Sequence, residues 1–312
     1  MKNLNLSLWP DFIKTKQLSI VADFKINQST KIFAMGSCFA NEIYKALTKR
    51  GFDCYPKYSA ISLNKDQIFN KLDPNKNLVE HYDTFTMKHE IQLAMNLISP
   101  DDRIQGFYEV VSQPANKYLA SDTVWQDPHR KICYAQNKDS LIDLSQKITK
   151  CVSDAIDSAD IYIITLGLIE CWINTLNELS FCRPPNTGYG GGEGFARFHL
   201  SSFEENYSNL KEIVKILSAK YPKKQIVISV SPVPLYFTYR NLDVYTANLE
   251  SKSVLRAVAG RVCEEFDNAY YFPSYEMAHL NNPSDVYQSD GRHVTEGFAQ
   301  FVMDSFIARF VE

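Results

Sequence analysis

Two short stretches at opposite ends of the chain carry residue types that could do covalent chemistry. The first is Gly36-Ser37-Cys38, which closes an apolar run from Lys31 to Met35 and opens a helical pattern at Phe39. A thiol at a helix N-terminus meets unsatisfied backbone N–H groups and the positive end of the helix dipole, which favour thiolate. The same N–H groups can stabilise an oxyanion. The second stretch is Ser289-Asp-Gly-Arg-His-Val294, with Asp290 three residues before His293. A carboxylate at that spacing can hold Nδ1 of the imidazole and leave Nε2 as a general base. Each stretch taken alone reads more readily as a helix cap or an ordinary polar turn. A nucleophile after the first strand combined with Asp-x-x-His before the last helix is far more specific.

Elements that could bring these stretches together are visible along the chain. Phe39 to Arg50 has helical spacing and ends at Gly51. Ser140 to Ser158 is amphipathic and leads into Ile161-Tyr-Ile-Ile-Thr165, an unalternating run suited to a strand covered on both faces. Ser202 with Glu205 forms a capping box for a helix reaching Tyr221, which feeds Ile226 to Val230. Ser251 to Phe266 predicts a helix before Tyr270 to Phe272, and Thr295 is the N-cap of a last helix to Val311. This alternation predicts an α/β fold, three-layer α/β/α, with a mostly parallel, doubly wound sheet. Residues 1–30 read as an irregular lead-in and 31–312 as a single domain. Residues 56–138 break the rhythm and read as a mixed insertion or cap after the second strand. That segment contains helical pieces at Asn64–Leu72 and His89–Ser99 and a strand-like piece at Phe107–Val111. Gly188 to Gly194 reads as a mobile glycine-rich loop.

Composition narrows the partners. The 312 residues are 45% hydrophobic and 22% charged, an ordinary globular mixture. Thirty-three basic against 36 acidic side chains leave a net charge of −3, which argues against nucleic acid. No apolar run approaches the roughly 20 residues of a membrane span. The opening MKNLNLSLWPDF is polar and broken by Pro10, unlike a secretory h-region, so a cytoplasmic location is expected. Seven cysteines without a C-x-x-C pair argue against a disulfide framework or zinc site and read mostly as buried thiols. His81 and His89 lie eight apart, His199 reads as structural, and no metal ligand set stands out. Arg183 and Arg197 flank the glycine-rich loop and could meet an anionic ligand or remain solvated.

The string Phe33-Ala-Met-Gly-Ser-Cys-Phe-Ala40 contains the letters that name the GSCFA family, and the chain is identified as a member of it. Tyr82-Asp-Thr-Phe85, Thr165 to Trp172, Ser231-Pro-Val-Pro-Leu235, Ser251-Lys-Ser-Val-Leu-Arg256 and Tyr271 to Tyr275 are similar to GSCFA proteins too, so the resemblance covers about residues 30 to 300. The strand–Gly-x-Cys–helix context resembles the first block of the SGNH/GDSL hydrolases, and Asp290-x-x-His293 resembles their last. That resemblance implies a flavodoxin-like fold and acyl transfer through a covalent acyl-enzyme. Counting from Gly36 puts Cys38 in the nucleophile's register, with His293 as base, Asp290 as its orienter, and Ser37 as the alternative nucleophile. The superfamily's middle-strand Gly-x-Asn reads here Gly167-Leu168-Ile169, without the Asn. Gly36, Gly167, Glu170, Trp172 and Arg292 are the expected oxyanion or substrate-binding residues. Glu170 reads equally as a surface carboxylate, and Trp172 as core or sugar platform. The resemblance implies a small-molecule or glycan substrate, with O-acyl carbohydrate as the leading guess. It implies no required cofactor, with acyl-CoA as an alternative donor. Water as acceptor would make an esterase, and a hydroxyl acceptor a transferase. A catalytically inactive binding module and, more weakly, a metal-dependent hydrolase are the competing classes.

Overall fold

The computed structural model describes residues 8–15, 18–20, 22–69, 80–111, 117, 119–185 and 193–312. In chain order the elements are α1 (Trp9–Thr15), β1 (Lys31–Gly36), α2 (Cys38–Lys49), β2 (Asp53–Tyr55), β3 (Gln67–Phe69), α3 (Thr84–Ala94), α4 (Pro100–Ile104), β4 (Tyr108–Val110), β5 (Val124–Gln126) and β6 (Cys133–Ala135). They continue with α5 (Lys138–Ser158), β7 (Ile161–Leu166), β8 (Glu170–Asn174), β9 (Ala196–Leu200), α6 (Phe203–Lys220), β10 (Gln225–Val230), α7 (Val244–Glu265), β11 (Ala269–Phe272), α8 (Ser274–Leu280), α9 (Pro283–Val286) and α10 (Glu296–Phe310).

Five strands form one parallel sheet in the order β11-β10-β7-β1-β2. Numbered among themselves, these strands run 2-1-3-4-5, the flavodoxin-like order, whose ligand crevice lies between the first and third strands at their carboxyl ends. Here that crevice is between β1 and β7, where Gly36 stands beside Thr165. The unalternating strands are apolar all along because both faces are covered. Tyr162, Ile164 and Leu166 pack with Leu144 and Ile148 of α5, Leu210 of α6 and Leu255 of α7. Ile161 and Ile163 pack on the opposite side with Phe39 and Ile43 of α2 and Val302 and Phe306 of α10. The three-layer α/β/α expectation therefore holds.

Several local expectations need correction. The lead-in is not wholly irregular: it contains α1, and Ile26 trades backbone hydrogen bonds with Phe310 and Glu312, clamping the last helix. Residues 67–69 of the expected helix at Asn64–Leu72 are a strand, pairing antiparallel with Cys133–Ala135. Residues 70–72 of that expectation, and the glycine-rich stretch up to residue 192, lie outside the described residues. The helix expected from His89 starts at Thr84, because the Asp83 carboxylate accepts the Thr86 N–H as N-cap. The helix expected from Ser251 starts at Val244, capped in the same way by Asp243. Ala196–Leu200 pairs with Glu170–Asn174 as an antiparallel hairpin, which places His199 in a strand, where its Nε2 meets the Glu205 carboxylate at 2.8 Å.

The 56–138 segment contributes an antiparallel sheet, β3-β6-β5-β4, and a buried ionic knot. Glu90 on α3 receives Arg103 Nη1 at 2.8 Å and Arg130 Nη2 at 2.5 Å, while Asp127 receives Arg103 Nε at 3.1 Å. All four side chains are essentially sealed from solvent. Burial alone would raise the Glu90 pKa, but Arg130 and Arg103 outweigh it and hold the carboxyl well below the usual range. Removing one member strands buried charge, at about 3–5 kcal/mol. Glu90→Gln should therefore lower unfolding free energy by about that amount, read from urea melts.

Candidate active site

The site begins at Gly36. Its φ is +148°, and a Cβ added there would lie 2.3 Å from the Thr165 carbonyl oxygen, so only glycine lets β1 turn this closely over β7. Gly36→Ala combines that clash with a disfavoured φ and should cost about 3 kcal/mol or more, seen as a large fall in melting temperature. The turn makes Ser37 the N-cap of α2, without a side-chain capping bond, and Cys38 its first residue. As that first residue, Cys38 has no intrahelical partner for its N–H.

Ser37 and Cys38 line a cavity of about 340 Å³ that also takes in Gly167, Glu170, Trp172, Arg292 and His293. Seven of the nine residues expected from sequence thus converge there. Gly36 does not line it, and its carbonyl accepts the His81 N–H at 2.8 Å. Asp290 stands behind the histidine: His293 Nδ1 and Asp290 Oδ2 are 2.5 Å apart, and Asp290 Oδ1 accepts the Arg292 and His293 backbone N–H groups. The imidazole hydrogen bond, with the two backbone donors, pulls the Asp290 pKa down to about 2, so it remains ionised across ordinary pH. Arg292 Nη1 donates to His293 Nε2 at 3.1 Å. Because a guanidinium only donates, Nε2 must be the lone-pair nitrogen and Nδ1 the protonated one. That is the tautomer a general base requires.

Ser37 is 3% exposed, and its hydroxyl has no hydrogen-bond partner among the described residues. Cys38 is half-buried. The other six thiols are pushed up by burial, Cys54 and Cys151 to about 11 and Cys182 and Cys263 to about 12.

Glu170 is tied down. Its carboxylate accepts Thr238 Oγ1 at 2.6 Å and the Tyr239 N–H at 3.1 Å, so it positions the loop after β10. That loop carries aromatic residues that sequence reasoning missed. The Tyr239 ring meets Trp172 edge-on at 4.7 Å and Phe237 at 5.0 Å, while Tyr236 is 76% exposed at the rim. Arg292 joins this side through the Pro234 carbonyl (3.1 Å) and stands over the Tyr236 ring. Arg183 lines the cavity, whereas Arg197 is exposed and paired with Glu178. Charged lining residues were missed as well. Glu80 accepts hydrogen bonds from Lys131 and the Tyr82 hydroxyl. Lys252, 2% exposed, donates to the Gly167 carbonyl at 2.7 Å. Nothing local to Ser251-Lys252 marks the lysine as buried. Among the described residues no group of three His, Cys, Asp or Glu side chains could hold a metal, and no helix is long and apolar enough to cross a membrane.

A doubly wound α/β domain with a thiol at its switch point and a carboxylate-backed histidine in the same cavity is the class these features define. The chain belongs to the GSCFA family, whose profile matches residues 31–306. No curated protein matches the sequence. Solved structures similar to it include a Streptococcus pneumonia chain assigned as a platelet activating factor (10% identity, TM-score 0.38, covering 96% of this chain and 90% of that one). A second is an acetyl esterase mutant with acetate ion (12% identity, TM-score 0.34, covering 88% and 93%). A third is a family two carbohydrate esterase from Clostridium thermocellum in complex with cellohexaose (12% identity, TM-score 0.31, covering 94% and 66%).

Proposed function

We propose that this protein is an acyl-transfer enzyme, an esterase or O-acyltransferase, working through a thioester on Cys38. The observation that carries the reading is the meeting of Cys38 and His293 in one cavity at the β1/β7 switch point, with Asp290 fixing the imidazole tautomer. Cys38 sulfur attacks the acyl carbonyl. His293 Nε2 takes the thiol proton and returns it to the departing group, and water or an acceptor hydroxyl then releases the acyl group. Arg292 occupies Nε2 in this structure, and the base is freed when the guanidinium turns to the bound ligand. Ser37 is the alternative nucleophile, with its nearly sealed hydroxyl against it.

The aromatic faces of Trp172, Tyr236 and Tyr239 suit a carbohydrate body, and O-acyl carbohydrate is the substrate class we infer. Acyl-CoA is the alternative donor, its phosphates suited to Arg183. No cofactor enters the scheme.

Intact mass after incubation with p-nitrophenyl acetate or acetyl-CoA tests this for wild type, Cys38→Ala and Ser37→Ala. One acetyl adduct, lost only in Cys38→Ala, is expected, and the donor that forms it separates esterase from transferase. Loss only in Ser37→Ala moves the nucleophile by one residue. Absence of both adduct and turnover in wild type leaves a binding module.

A further inference from the structure

We propose that Lys252 is a catalytic residue whose ammonium group takes the oxyanion-stabilising place that the Gly167-Leu168-Ile169 loop leaves unfilled. The inference rests on the acyl-transfer reading above. Two of the three N–H groups in that loop are already committed: Leu168 donates to the Tyr82 carbonyl at 2.9 Å and Ile169 to Ser251 Oγ at 3.0 Å. Neither can turn to a substrate without dismantling the loop. No side-chain amide follows Gly167 to replace them.

Lys252 projects from α7 to this same loop. One of its three N–H donors is used by the Gly167 carbonyl, and among the described residues the remaining two have no other partner. Lys252 lines the cavity with Cys38 and is almost wholly withdrawn from water, where a donor acts on developing charge far more strongly than in solvent. The groups that face it are Cys38 from α2, Arg292 from the turn before α10 and the Gly167 carbonyl; Tyr82 and Glu80 line the same cavity. Burial pushes the Lys252 pKa down to about 7, with Cys38 opposing the shift and Arg292 adding to it.

As the S–C bond forms, the carbonyl π pair moves onto oxygen. Lys252 donates a hydrogen bond to that oxygen and keeps its proton. When the C=O bond re-forms, the bond to the leaving group breaks and that group takes the proton held on His293 Nε2. Lys252 must be protonated to act, so its contribution is present below about pH 7 and is lost above it.

The test measures Cys38 acetylation by p-nitrophenyl acetate from pH 5 to 9, divided at each pH by the rate of Cys38 alkylation with iodoacetamide. Wild type, Lys252→Met and Ser251→Ala are compared, with thermal melts to establish folding. In wild type the ratio should fall as pH rises through about 7. Lys252→Met should lower it about 10²–10³-fold at pH 6 and flatten the profile. Ser251→Ala, which loosens the same loop but keeps the ammonium, should stay within a few-fold of wild type. Acetylation of Lys252→Met at the wild-type ratio overturns the inference, and so does an equal loss in Ser251→Ala, which would mark a structural role. A wild-type ratio that rises through pH 7 overturns it in favour of Lys252 as a base. Failure of wild type to acetylate at all overturns the acyl-transfer reading itself. Should Lys252→Met not fold, the wild-type profile and Ser251→Ala still decide.

Discussion

Asp290→Asn should lower turnover of an acyl substrate by about 10⁴-fold while leaving the fold intact. The exchange keeps an oxygen where Oδ1 accepts the Arg292 and His293 N–H groups, so the turn survives. At the other position an amide NH₂ replaces the carboxylate oxygen that faces His293 Nδ1. The imidazole must then present a lone pair at Nδ1 and carry its proton on Nε2, which inverts the tautomer. Two consequences follow for the same nitrogen. Nε2 can no longer take a proton from Cys38, and its new N–H points at Arg292 Nη1, a group that only donates. The loss should appear in kcat with an unchanged melting temperature. A residual rate within tenfold of wild type would mean that His293 is not the base.

The first strand and turn and the helix caps of this architecture are written locally. The first strand, turn and helix are legible because an apolar run stops at a glycine that no other residue could replace, with φ of +148° and the Thr165 carbonyl pressed against it. The Ser202–Glu205 capping box marks the start of α6 because both of its hydrogen bonds are made within four residues. What escaped is what depends on distant partners. Arg103, Glu90, Asp127 and Arg130 carry no local mark of burial, since nothing near them in sequence shows that they neutralise one another in a sealed knot. The β8–β9 hairpin closes over more than twenty intervening residues, so no turn signature announced it. Lys252 lies among Val254, Leu255 and Val258 and looks like the polar side of an amphipathic helix. Its burial follows from the β7–β8 loop folding over it, a tertiary fact. The convergence of Cys38, His293, Arg292 and Trp172 on one cavity was therefore legible, whereas Glu80, Lys252 and the aromatic residues Tyr236, Phe237 and Tyr239 beside them were not.

Selective alkylation of Cys38 at pH 6.5 is the second large expectation, and it starts from the burial that raises the other six thiols. A thiol at the ordinary value carries about 10² times more thiolate at that pH than one pushed up by burial to about 11. Intrinsic nucleophilicity falls with pKa at a Brønsted slope of about 0.4–0.5, which returns part of the gain and leaves roughly 10-fold. Cys54 and Cys151 set that comparison at about 11, while Cys182 and Cys263 at about 12 widen it. Four of the other six thiols are also buried, which denies the reagent access. The helix N-terminus and the Lys252 ammonium both favour thiolate at Cys38 and add to the margin. Peptide mapping after brief iodoacetamide treatment should therefore recover one main modified site, with about 10-fold or greater preference over any other cysteine. Lys252→Met should shrink that preference and Cys38→Ala should erase it. Uniform slow labelling would remove the thiolate nucleophile and return the chemistry to Ser37.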